Sequence, residues 1–278
     1  MTTLFKKTLG ALVLALGAGS LLPAWAQAQA VPVATPLTAH DAEAWLDGLM
    51  PAALRTARVP GAVVVVVKDG QVLVQKGYGW ADWDKHVPVD AKRTLFRPGS
   101  VSKLFTWVAV MQQVEQGRLS LDVDLNQYLD FKIPAHQSGK ALTLRHVMTH
   151  MTGLEETARD LLTYGDKGPE LGGVLKAYVP PYVYEPGTTP GYSNYATALA
   201  GYIVERVSGM SFDDYIEKRV LHPIGMQQST FRQPLPVSLQ PQMSVGYFSQ
   251  DKAGEGFEII SMPPAGSLSA TGEDMGRF

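Results

Sequence analysis

Five consecutive valines, Val63 to Val67, constrain this chain more than any other feature. β-Branched side chains are stiff at χ1 and favour the extended backbone. Asp69-Gly70 follows the run, and Gln71-Val72-Leu73-Val74-Gln75 comes next. An Asp-Gly pair between two such segments predicts a hairpin, because its positive-φ turn matches the twist of paired strands. No polar residue alternates within the run. The strand is therefore expected to be buried on both faces, with helices covering the sheet.

A helix from about Asp41 to Ala57 precedes the hairpin, with Ala44, Trp45, Leu49 and Leu54 on its apolar face. After Gly99 a second helix starts near Ser100. Val101, Leu104, Phe105, Val108 and Met111 recur at helical spacing, and few charges interrupt the segment before Glu115, so burial almost all round is predicted. Residues 142–151 suggest a short helix, and residues 152–191 read as loops rich in Gly and Pro. Helices are expected from about Tyr195 to Val207 and from Phe212 to Val220, with strand-like character at Phe257 to Ile260. Strands, then helices, then strands again describe a mixed α and β chain: an antiparallel sheet flanked by helices, with an all-helical insertion.

Bulk composition excludes more than it specifies. The formal net charge is -2, which leaves no footprint for nucleic acid. There are no cysteines, so disulfides, thiolate nucleophiles and cysteine-ligated zinc are out. His146 and His150 are four apart, as helical zinc ligands can be. No glutamate follows His146, however, and a structural or exposed role is expected for both. Neither a G-x-S-x-G elbow nor a phosphate-binding glycine loop is present.

The first residues resemble an export signal. Lys6 and Lys7 are followed by the short apolar run Leu9 to Leu22 and by Ala24-Trp25-Ala26 as a cleavage site. Residues 1–26 are accordingly expected to be a signal peptide, 27–40 a linker and 41–278 the folded domain. The mature protein would be periplasmic or secreted and would touch the membrane only in transit.

Two short motifs can carry chemistry. Ser100-Val101-Ser102-Lys103 places a hydroxyl and an amine three residues apart, on one helix face. Serine at a helix start meets converging N–H groups, which favour an oxyanion. Desolvation there disfavours a lysine's charged form, which suits the amine to general-base work. The same pattern at Ser249-Gln250-Asp251-Lys252 lies in a polar loop and is given no meaning. The second motif is Tyr192-Ser193-Asn194, which holds one of only two asparagines in the chain. In an extended segment Tyr192 and Asn194 face the same way. A phenol there can relay a proton, and an amide can orient a carbonyl. A helix cap at Ser100 with a snorkelling Lys103, and a helix cap at Asn194, remain alternatives.

Taken together, the motifs resemble a known family. Phe96-Arg97-Pro98-Gly99-Ser100-Val101-Ser102-Lys103 is similar to the nucleophile segment of class C β-lactamases, DD-peptidases and related esterases. Glu185-Pro186-Gly187 with Tyr192-Ser193-Asn194-Tyr195 resembles the second motif. Leu142 to Leu154 and Pro264-Ala265-Gly266-Ser267-Leu268 resemble further landmarks, in the expected order over residues 46–278. The resemblance implies an acyl-enzyme on Ser100, proton handling by Lys103 and Tyr192, substrate binding by Asn194, and an oxyanion hole that includes the Ser100 N–H. The substrate would be a β-lactam, a cell-wall peptide or an ester, with no metal or cofactor. The family's third motif, Lys-Thr-Gly or a variant, is not found after the glycine landmark, and Lys252-Ala253-Gly254 comes too early for it. The chain is therefore expected to lack the family's C-terminal strands and to leave an open sheet edge. A non-catalytic penicillin-recognising or peptide-binding module is the rival reading.

Overall fold

The hairpin forms as its residues dictate. In a computed structural model, which describes residues 35–157, 161–165, 167–248 and 252–278, β1 (Gly61–Lys68) pairs antiparallel with β2 (Gln71–Asp82). Asp69 and Gly70 both take positive φ, at 52° and 72°, as a tight primed turn requires. The register shifts between Val66 and Val67.

A helix lies on each face of this hairpin. On one side α1 (Ala39–Ala57), capped by Thr38, packs Ala42 and Leu46 against Val74 and Tyr78. Trp45 is 65% exposed, so the buried stripe runs Ala42, Leu46, Met50, Leu54 rather than through Trp45 and Leu49. A spacing of four follows the surface of the helix, and the expected face was displaced from it. On the other side lies the last helix, Gly272–Arg277. A Cβ on Gly272 would sit 2.4 Å from Val63 Cγ2, and one on Gly276 2.8 Å from Val65 Cγ1. Glycine at both positions lets that backbone rest directly on the valine face.

Short pieces follow the hairpin: β3 (Val87–Pro88), which joins β2, and β4 (Leu95–Phe96). A 3₁₀ turn, Gly99–Ser102, feeds α2 (Lys103–Glu115). Then come α3 (Leu144–Met148), β5 (Leu162–Thr163), α4 (Leu171–Ala177), α5 (Asn194–Ser208) and α6 (Phe212–Tyr215), the last prolonged by π-type turns through Leu221. The chain ends in β6 (Ile259–Ile260), α7 (Pro263–Gly266), β7 (Ala270–Thr271) and α8 (Gly272–Arg277). β4 pairs with β7. The helical residues between the hairpin and α8 surround one large core, in which Phe105, Ala109 and Val110 of α2 join Leu199, Ile203 and Val204 of α5. Burying a side chain such as Phe105 contributes about 1.5–3 kcal/mol, so α2 and α5 are held firmly against each other.

Four expectations need correction. The helical segment from Ser100 is not buried all round: Val101 of the 3₁₀ turn and Met111 of α2 are exposed, and Leu104 is 48% exposed. The core takes Phe105, Thr106, Ala109, Val110 and Gln113, which is one face only. The loop region 152–191 contains β5 and α4, a strand and helix too short for their periodicity to register. The strand expected at Phe257 to Ile260 is only Ile259–Ile260, which pairs with β5. Finally, α1 begins at Ala39, two residues before the expected start near Asp41. The sheet order is β1-β2-β3, so among the described residues the outer edge of β1 has no strand beside it. The export segment and the rest of the linker up to residue 34 lie outside the described residues, as does most of Ser249 to Lys252.

Candidate active site

Ser100 sits in the 3₁₀ turn, exposed to solvent, and Lys103 is the first residue of α2. Their spacing brings Lys103 Nζ to 3.2 Å from Ser100 Oγ. Lys103 is only 4% exposed. A buried amine needs partners, and it has two besides the serine: it donates to Asn194 Oδ1 and to the Ala265 carbonyl, each at 2.7 Å. Tyr192 Oη lies 2.5 Å from Ser100 Oγ, and the Lys103 amine stands 4.7 Å from the centre of its ring. The structure thus gathers Ser100, Lys103, Tyr192 and Asn194 around one hydroxyl. The cap of α5 is Ser193, whose hydroxyl accepts from the Ala196 N–H, so Asn194 is free of capping and turns inward.

Several residues that sequence reasoning did not single out hold this cluster. Ser102 is fully buried. It donates to the Gly99 carbonyl at 2.6 Å and accepts from the Leu268 N–H at 3.2 Å, tying the nucleophile turn to the landmark segment. Thr106 Oγ1 donates to Pro264 O at 2.8 Å, fixing the same segment and with it the Ala265 carbonyl. Glu156 accepts from both the backbone N–H and the side-chain amide of Asn194, at 2.8 and 2.7 Å. Ser102 lies inside the Ser100-to-Lys103 motif without a role of its own in that spacing, and Glu156 follows the segment 142–154 with no distinctive local pattern.

His150 is the other addition. Its ring stacks on Tyr192 with centroids 4.6 Å apart, and its Nδ1 accepts the Ser193 N–H at 3.3 Å. Burial, helped by the nearby Lys103 charge, lowers its pKa from the ordinary imidazole value. The bond to Ser193 requires an unprotonated Nδ1. His150 itself adopts φ 55°, and its carbonyl accepts the Gly191 N–H at 2.7 Å. His146 lies elsewhere: its Nε2 borders Gly187, where an added Cβ would approach to 2.9 Å. The two histidines meet different parts of the connection between α4 and α5, and among the described residues no His, Asp or Glu group is arranged to hold a metal.

Tyr78 belongs to the core beneath α1, while Trp80 and Trp83 pack against His86. Their ring contacts are with each other's loop, not with the Ser100 cluster. The Gly254 N–H donates to Asp84 at 3.1 Å, so Lys252-Ala253-Gly254 belongs to that same remote loop.

The site is thus a serine hydroxyl held between an amine and a phenol at the head of α2. The comparisons give it a family. The β-lactamase family profile matches residues 46–278, and the chain belongs to that family. It is 29% identical over 198 residues to "Protein flp" of Staphylococcus aureus (strain N315), covering 70% of this chain and 39% of that protein. It is 31% identical over 225 residues to esterase EstB of Burkholderia gladioli, covering 76% of this chain and 56% of the esterase. Among solved structures, the octameric penicillin-binding protein homologue from Pyrococcus abyssi superposes with a TM-score of 0.71 at 26% identity, covering 84% of this chain and 55% of that one. A class C β-lactamase mutant superposes with the same score at 27% identity, covering 84% and 63%. The chain thus spans about two-fifths to two-thirds of the length of these relatives.

Proposed function

We propose that this protein is an exported serine hydrolase that forms an acyl-enzyme on Ser100. The observation that carries the reading is the set of partners around Lys103. A neutral amine has two N–H bonds and one lone pair. Asn194 Oδ1 and Ala265 O, both at 2.7 Å, are fixed acceptors for the two N–H bonds. The third position on the nitrogen faces Ser100 Oγ at 3.2 Å, where an amine that has given up its third proton would present its lone pair as a general base.

In the proposed reaction, Ser100 Oγ attacks a carbonyl carbon while its proton passes to Lys103. The tetrahedral intermediate places its charge near the Ser100 N–H at the head of the helical turn. The bond to the leaving oxygen or nitrogen then breaks. Tyr192, in hydrogen-bond contact with Ser100 Oγ, gives its phenol proton to that leaving atom and is reprotonated from Lys103. Water attacks the acyl-enzyme by the reverse relay and returns the hydroxyl.

The substrate class supported is a small ester, lactam or peptide carbonyl. The esterase relative makes simple esters the first to test. Labelling with a fluorophosphonate or a fluorescent penicillin, followed by peptide mass mapping, tests the reading. Modification at Ser100 supports it, and unchanged labelling of a Ser100→Ala variant overturns it.

A further inference from the structure

Asn194 uses its amide in two directions. Oδ1 faces Lys103, while Nδ2 and the backbone N–H both point at Glu156. Two N–H donors on the two oxygens of one carboxylate fix its position as well as its charge. The segment that carries Glu156 is itself anchored. Gly153 takes φ 73°, and an added Cβ there would meet the Tyr184 carbonyl at 2.1 Å. The Gly153 carbonyl accepts from the N–H groups of Val183 and Tyr184, and Glu155 N–H donates to Pro181 O.

Glu156 is exposed, and each oxygen keeps a lone pair beyond the bond to Asn194. The Lys103 amine is directed at Asn194, Ala265 and Ser100. What Glu156 presents beside Asn194 is therefore a fixed negative charge open to a donor. The leaving group departs on the Tyr192 side, where its proton arrives. The proposed reaction then leaves the Asn194 and Glu156 side of Lys103 for the acyl group.

On this geometry, and resting on the acyl-transfer reading above, we propose that Glu156 is a specificity-determining residue that selects acyl groups carrying a protonated amine. A neutral acyl chain gains nothing from the carboxylate, and an anionic one is repelled by it.

The test compares acylation rates, read from the para-nitrophenol burst of the full-length protein, for paired para-nitrophenyl esters: β-alanyl against butyryl, and ε-aminocaproyl against heptanoyl. The two lengths sample how far the amine must reach. In at least one pair the cationic ester should acylate about three- to thirtyfold faster, the span between exposed and partly desolvated charge pairs. The ratio should shrink as ionic strength rises. It should fall towards one in Glu156→Gln, whatever the absolute rates, and persist in part in Glu156→Asp, which keeps the charge. A ratio near one for both wild-type pairs, or a ratio that survives Glu156→Gln, overturns the proposal and leaves the acyl-transfer reading standing. No acylation of Ser100 by any of the four esters overturns the proposal, and no labelling of Ser100 by the fluorophosphonate or the penicillin overturns the acyl-transfer reading with it.

Discussion

Lys103 Nζ donates to Asn194 Oδ1 across 2.7 Å, joining residues 91 positions apart in the chain. The contact links the first residue of α2 to the first residue of α5, the two helices that share the main core. The amine beside Ser100 is thus oriented by a second helix and not by its own turn alone.

The nucleophile assignment separates two serines of one motif. Ser100→Ala should abolish covalent labelling and leave the melting temperature near that of wild type, because Ser100 is exposed. Ser102→Ala should retain labelling but lose stability. Its hydroxyl serves two backbone groups in the interior, and stranding such groups costs about 1–3 kcal/mol each. Labelling and thermal denaturation of both variants check this. Loss of labelling in Ser102→Ala alone would reverse the roles.

Lys103→Arg preserves a positive charge but offers no neutral nitrogen for proton abstraction. The acylation rate should drop by about a hundredfold or more, the scale of general-base removal. Burst kinetics with para-nitrophenyl butyrate measure it. A near-normal rate would assign Lys103 to structure.

His150 predicts a pH dependence of stability. Its folded pKa is depressed below 6.5, so the unfolded chain binds the proton more readily. Its contribution is complete above pH 6.5 and is lost as pH falls from there through the depressed folded value. Protonation of Nδ1 also breaks the bond from the Ser193 N–H and places a cation against the Tyr192 stack beside Lys103. Thermal melts between neutral and mildly acidic pH should therefore show a steeper loss in wild type than in His150→Phe, which keeps a ring on Tyr192. Parallel profiles would remove His150 from the account.

Export is checked by intact mass. Lys6, Lys7, the apolar run and Ala24-Trp25-Ala26 predict a mature protein that starts near Gln27 when expressed with access to the bacterial export machinery. Recovery of a chain that retains Met1 in the membrane fraction would argue for an anchor instead.

Local pattern made the framework legible. The valine run and Asp69-Gly70 specify the hairpin. Ser193-Asn194 and Ser208-Gly209 bracket α5, and the S-x-x-K spacing alone places an amine next to a hydroxyl, because all of these depend on neighbours within a few residues. Tertiary structure decided the rest. The apolar residues of α2 do not say which face is buried; packing against α5 chose Phe105 and left Leu104 outside. Ile259–Ile260 reads as a strand wherever its partner lies, and only the folded chain paired it with β5. The acceptors of Lys103 at Asn194 and Ala265, the brace at Ser102 and the carboxylate of Glu156 come from segments 38 to 166 residues from their partners. Such contacts carry no period and no local signature. They exist because burying one amine obliges the fold to bring polar groups to it from wherever the chain can supply them.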